Sequence, residues 1–283
     1  MSIKYQLRVI TKGIWRDLIT YSRYPAFFLG IALDMISMTI GFLVIGGGYS
    51  FNPAVLNVTG LTDLDVFLFM MTGTVLTVFS SIATWGPLNR IENDIHYGTL
   101  EAVFVTPTSR IGYLLSTTLS RAIISFIFFI PIYIITLLTA GALGNPRIIG
   151  LTLLAIIITV ISNISVGLTF GMLAILFRQT RILVSVINML IQFLCGAYIP
   201  VQGFAIIHPV IGKILQYLAM CFPFTYCFDL LRFFLLGERY VTLLPIWLEF
   251  VLIFASTIFY VIIAKLLLIP IERKAKKEGL SIL

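Results

Sequence analysis

Ile123-Ile124-Ser125-Phe126-Ile127-Phe128-Phe129-Ile130-Pro131-Ile132-Tyr133-Ile134-Ile135-Thr136-Leu137-Leu138 is apolar on every face, and Leu151 to Ile161 repeats that character shortly afterwards. A membrane-spanning strand would alternate polar and apolar residues over about ten positions, whereas a helix enclosed by lipid and protein needs no such alternation. The two runs therefore predict helices. Each sits in a longer apolar segment of the kind that a hydrocarbon core about 30 Å thick requires, roughly 20 residues per crossing.

The rest of the chain has the same composition. Of 283 residues, 59% are hydrophobic and 11% charged, with a mean hydropathy of +1.06. That is more apolar surface than a soluble domain of this size can hide. Six crossings are predicted, at 26–48, 64–88, 111–140, 148–177, 182–200 and 244–270. The expected fold is an all-α polytopic membrane protein, one transmembrane domain over 1–283 with no soluble domain. Lys4, Arg8, Lys12 and Arg16 are spread through the start, so no cleavable signal pattern is read there and the N-terminus is expected to stay.

Lysine and arginine near span ends favour the cytoplasmic side. With both termini inside, that side holds Lys4, Arg8, Lys12, Arg16, Arg23, Arg90, Arg110, Arg178, Arg181, Arg273, Lys274, Lys276 and Lys277, against Arg147, Lys213, Arg232 and Arg239 outside. A basic tail, 271–283, then lies inside. The segment 201–243 is apolar enough to suggest a seventh span, but a crossing there would put that tail outside. Pro209 and Pro223 also interrupt its helical pattern, so two short half-inserted helices are expected on the external side. The net charge of +7 is spread along membrane edges, which points to anionic lipid and away from nucleic acid.

Before the first span, Ile3, Leu7, Ile10, Ile14, Leu18 and Tyr21 recur at helical spacing, with Lys4, Arg8, Lys12 and Arg16 opposite. Residues 1–25 thus read as an amphipathic helix in the interfacial plane, ended by Pro25. It serves as a simple anchor or as a sliding contact for a cytoplasmic partner. Ionisable or amide groups inside the spans are Asp34, Arg121, Asn163, Asn188, Gln192 and Glu249. Structural pairing, such as Asp34 with Arg121, and a polar path are both open for these. Cys195, Cys221 and Cys227 show no metal spacing; they read as buried thiols, with a Cys221–Cys227 bridge as the alternative. No phosphate loop, HExxH or GxSxG occurs, so no catalytic residue, metal site or cofactor is expected in this chain. Directional work would need energy from another polypeptide.

The most polar segment is 89–110, between the second and third predicted spans. Glu92, then Tyr97-Gly98-Thr99-Leu100-Glu101, then Thr106-Pro107-Thr108-Ser109-Arg110, resembles the signature loop of the type-2 ATP-binding-cassette (ABC) transporter permeases. Gly196-Ala197-Tyr198-Ile199-Pro200, Pro209, Phe222-Pro223-Phe224-Thr225-Tyr226 and Asp229-Leu230-Leu231-Arg232 resemble that family's segment between the fifth and sixth helices. The resemblance covers essentially the whole chain. It implies that Glu92, Gly98, Thr99, Leu100, Glu101 and Pro107 belong to a coupling region docked on a separate ATPase subunit, which would carry ATP and Mg. Arg178 and Arg181 would form a second contact or a simple interfacial anchor.

The resemblance also implies external re-entrant helices, with Pro200, Pro209 and Pro223 ending helical pieces and Tyr226, Asp229 and Arg232 in the last of them. Asp229 and Arg232 are spaced to pair locally. The expected function is the permease subunit of an exporter in the cell membrane, dimeric with itself or a related chain, moving a hydrophobic or amphiphilic drug or lipid. Lipid-linked polysaccharide is the alternative cargo. An ion-driven secondary transporter and a non-transporting scaffold are the readings of other classes.

Overall fold

The computed structural model describes residues 3–26, 50–99, 109–176 and 180–278, with positions 29, 30, 32, 33, 36, 37, 40, 41 and 44 between the first two stretches. Every described element is helical. In chain order they are α1 (Ile3–Arg23), α2 (Pro53–Thr59), α3 (Asp63–His96), α4 (Arg110–Thr139), α5 (Pro146–Leu176), α6 (Thr180–Leu194), α7 (Val201–Ile207), α8 (Ile211–Met220), α9 (Pro223–Leu236), a 3-10 turn (Gly237–Arg239) and α10 (Ile246–Glu278).

Among the described residues, four helices are long and apolar enough to cross a membrane, over Asp65–Asp94, Arg110–Thr139, Pro146–Ile175 and Ile246–Ile271. The number becomes five if α8 and α9, which turn by 89° between Met220 and Pro223, form one broken span. The remaining predicted crossings fare differently. The one at 26–48 falls mostly outside the described residues. The one at 182–200 is shorter than expected: α6 has only 15 residues and ends at Leu194, where the chain turns through Gly196 at φ 91°.

α3 runs through the middle of the molecule, packed against α4 and α5, while α10 lies on the outside of α5. In their apolar windows, 87% of α3 but 11% of α10 is buried inside the chain. This explains why the most enclosed helix is rich in small hydroxyl residues. Thr72, Thr74, Thr77 and Ser80 each donate to a carbonyl one turn back, so their polarity is satisfied within α3 itself. Close approach is also possible where side chains are absent: a Cβ on Gly73 would run into the carbonyl oxygen of Ala197.

α3 and α4 are about 50 Å and 45 Å long at 1.5 Å per residue, well beyond the hydrocarbon thickness. The expected loop at 89–110 therefore begins with two further turns of α3, up to His96. Leu88 and Ile91 continue the buried face and pack with Tyr113, Leu114 and Met172, which is why the helix persists through a polar sequence. Likewise α10 continues through Pro270 to Glu278, so the basic tail starts as helix. Proline is tolerated inside long membrane helices when neighbours compensate the lost bond.

The segment 201–243 contains three short helices and a 3-10 turn where two helices were expected. Its prolines start helical pieces instead of ending them. Pro200 is the residue before α7, Pro223 is the first residue of α9, and Pro209 sits in the turn leading to α8. The first helical position has no intrahelical use for an N–H, so proline costs nothing there. Cys195, Cys221 and Cys227 are free thiols, the first and last buried and Cys221 exposed.

Candidate functional site

At one end of the bundle α1 lies along the start of α4 in the same sense. Ile10 is next to Gly112, Gly13 is against Ser116, and Ser120 Oγ donates to Asp17 Oδ2 at 3.2 Å. α1 ends at Arg23, with Tyr24 out of helix before Pro25, as the steric clash of a pre-proline residue requires. Its apolar stripe is divided between two tasks. Ile10 and Ile14 are half-buried against the bundle, whereas Leu7 and Trp15 remain exposed. Asp17 is the single acid of this basic helix and is 8% exposed; Arg16 holds its other oxygen at 2.9 Å.

The last turns of α3 are organised by Asp94, a residue that sequence reasoning did not single out. It is buried, accepts a short hydrogen bond from the Tyr113 hydroxyl of α4, and pairs with Arg90 Nε at 2.9 Å. Arg90 Nε also donates to Tyr113 Oη at 3.3 Å. Thr99 Oγ1 donates to Asp94 Oδ1 at 2.9 Å, which folds the residues after the helix back upon it. The turn between them uses Gly98 at φ 65°, a conformation that glycine adopts without Cβ strain. Ser109 then caps α4 by accepting from Gly112 N at 3.1 Å. One carboxylate thus ties α3, α4 and the start of the connecting segment together. The available signal was the i,i+4 spacing of Arg90 and Asp94 beside the Leu88/Ile91 apolar pair.

Glu92 lies two residues from this hub and is partly exposed. Tyr97, Gly98 and Thr99 are exposed at the tip of α3. Leu100, Glu101, Pro107, Arg178 and Asp34 lie outside the described residues, as does the Arg181 side chain. Arg121 of α4 faces the cleft between α1 and α3.

The opposite end is built differently. Arg232 is 2% exposed and, among the described residues, no carboxylate is bound to it. Its Nε donates to Thr72 Oγ1 at 3.2 Å and its Nη2 to the carbonyls of Ala197 at 3.3 Å and Phe69 at 3.4 Å, while Cζ stacks 3.4 Å from the Phe69 ring centroid. The expected local pair with Asp229 does not form. Asp229 turns the other way, accepting from the Tyr240 hydroxyl and from Leu243 N at 2.5 Å. Burial, reinforced by the neighbouring Asp229 carboxylate, pushes the Tyr240 phenol well above its ordinary value. Tyr226 Oη donates to Met220 O at 2.8 Å across the bend between α8 and α9. Arg232 is therefore an internal clasp between α9, α3 and the 195–200 turn, not a charge at the membrane edge.

The intramembrane polar residues separate into distinct groups. Gln192 donates to Ser80 at 3.3 Å and accepts from Tyr198 at 3.1 Å, joining α6 to α3. Asn188 is partly exposed on α6. Glu249 is fully buried and accepts from Leu244 N at 3.2 Å. Asn163 is fully buried on α5 with neither amide atom hydrogen-bonded.

These features agree with the comparison to known families. The chain belongs to the ABC-2 type transporter family, whose model matches residues 6–236. That makes it a multi-pass membrane component of a transport system, in a family that works with an ABC ATPase. No curated protein shows significant similarity to it.

Proposed function

We propose that the chain is the permease subunit of an ATP-driven exporter, with both termini cytoplasmic and the Asp94 end of α3 facing its ATPase. The reading rests on one observation above others, the Asp94 hub. α3 and α4 flank the segment that carries the family signature, and Asp94 links both helices to Thr99 at its start. A push on that segment would move α3 and α4 as one body instead of unravelling a loop. Because α3 is the central helix, the displacement would reach the opposite end of the molecule.

In this reading the chain crosses the membrane six times, with 26–48 and α6 as the first and fifth spans, and α7 to α9 dip back from the external side. Glu92 and Glu101 meet basic groups of the ATPase subunit, with Arg178 and Arg181 as a lesser contact. ATP and Mg belong to that subunit. A second copy or a related chain closes the path. α6 supports this by exposing Ile182, Val186, Met189 and Phe193, with the partly exposed Asn188 and the bridging Gln192 among them. Such a mixed wall suits a hydrophobic or amphiphilic cargo.

The test is transport by the complex reconstituted with its ATPase. Glu92→Ala combined with Glu101→Ala should abolish ATP-driven transport while ATP hydrolysis continues. Unchanged transport would overturn the coupling assignment.

A further inference from the structure

A cavity of about 390 Å³ opens between the second half of α1, the end of α3 and the side of α4. Its size falls in the range of about 300–1,000 Å³ typical of small-molecule sites. Four kinds of side chain line it: the cationic Arg121 and Arg90, the carboxylates Asp17 and Asp94, polar groups such as Asn93, and aromatics such as Trp85 and Tyr24.

The charges in this cavity do not balance once their partners are assigned. Asp94 is held by Arg90, Tyr113 and Thr99. Asp17 is held by Arg16 and Ser120. Both carboxylates are thus engaged, and among the described residues Arg121 makes no hydrogen bond or ion pair. Its stem lies across Gly86, where a Cβ would meet Arg121 Cγ at 3.3 Å, so the glycine leaves room for the arginine beside the cavity. A half-buried guanidinium with five donors and no acceptor is poised for an anion, and its planar fork matches a phosphate, as it does a carboxylate, with two parallel hydrogen bonds.

The position decides which phosphate. The cavity lies where a cationic amphipathic helix meets two transmembrane helices. Lys4, Arg8 and Lys12 are exposed along α1 and would concentrate anionic lipid there. Tyr24, 64% exposed, and Trp85 add the aromatic pair characteristic of the headgroup level. We infer that this cavity binds the phosphodiester headgroup of an anionic phospholipid, with Arg121 as its main ligand and Asn93 as a secondary donor. The lipid then acts as a wedge whose presence sets the spacing of α1 from α3. The inference rests on the membrane reading alone and needs neither a cargo nor an ATPase.

The test uses the full chain in phosphatidylcholine nanodiscs, with Trp15→Phe and Trp247→Phe leaving Trp85 as the single tryptophan, excited selectively over tyrosine. Titration with dihexanoyl phosphatidylglycerol should give a saturable change in Trp85 emission, whereas dihexanoyl phosphatidylcholine and inorganic phosphate should not. Arg121→Gln should raise the half-saturating concentration about tenfold, Arg121→Lys should recover most of the loss, and Asn93→Ala should have a smaller effect. Native mass spectrometry of the unmodified chain, scoring retained phosphatidylglycerol with and without Arg121→Gln, covers the case in which the tryptophan variants fold poorly. An equal response to phosphatidylcholine, an unshifted midpoint in Arg121→Gln, or saturation by inorganic phosphate would each overturn the inference. Because no ATP or transport enters the measurement, failure here leaves the exporter reading standing, and failure of transport leaves this one standing.

Discussion

Arg90 and Arg232 occupy the two ends of the same central packing, and they are held in opposite ways. Arg90 is matched by a carboxylate four residues along its own helix, at a site about a quarter exposed on the arginine side. Arg232 is sealed among two backbone carbonyls, a threonine hydroxyl and an aromatic face, with no acid bound to it among the described residues. The first ties two helices and the start of the connecting segment through one carboxylate while the arginine edge stays open to water, so it can pass a push from one element to the next. The second cannot shift, because its guanidinium is fully buried and leaving it unpaired would be expensive. One end is therefore built to transmit movement and the other to hold a fixed shape.

The largest expected effect breaks the fixed end. Arg232→Met takes the guanidinium from the Ala197 carbonyl, at about 1–3 kcal/mol for a group left unsatisfied, and loses the stacking on Phe69, about 2 kcal/mol at a desolvated site, while Thr72 still donates to Phe69 O. Thermal unfolding in detergent should fall steeply, with folded yield reduced. A transition within a degree or two of the parent would show that Arg232 is not a clasp.

Asp94→Asn comes next and sharpens the contrast. It removes the partner of Arg90 and weakens the bonds to Tyr113 and Thr99, a loss of about 3 kcal/mol locally at a partly wetted site. The bundle should remain folded while the ratio of cargo moved to ATP hydrolysed collapses. Equal loss of stability and coupling would make this end as rigid as the other. The smallest effect should come from Gly98→Ala. Among the described residues nothing lies within 4 Å of the added carbon, so the cost there is the left-handed backbone, about 1 kcal/mol. Transport should slow modestly with the unfolding midpoint almost unchanged.

How much of this was legible depends on whether the interaction is local. α1 was readable as an amphipathic helix because its stripe is written at three- and four-residue spacing. Asp17, the acid of that basic helix, went unremarked in the sequence, because its role depends on Ser120, 103 residues away. α3 was expected to stop at 88 because the sequence turns polar there. It continues because Leu88 and Ile91 find Leu114 and Met172, and because Asp94 finds Tyr113. The pairing of Asp229 with Arg232 was a sound inference from i,i+3 geometry. It lost to Tyr240 and Leu243 on one side and to Thr72 on the other, since the full packing offered each group better partners.

The sequence by itself determined that this is a bundle of apolar helices with a cationic amphipathic lead and a polar segment after the central helix. Hydropathy is summed along the chain, so a local reading suffices for it. Only the tertiary structure decided which charges are clasped, which are paired and that Arg121, among the described residues, faces a cavity. Those outcomes depend on the register at which helices distant in sequence meet, such as the 160 residues that separate Arg232 from Thr72. A side chain's partner is a property of that register, which no periodicity within a single helix encodes.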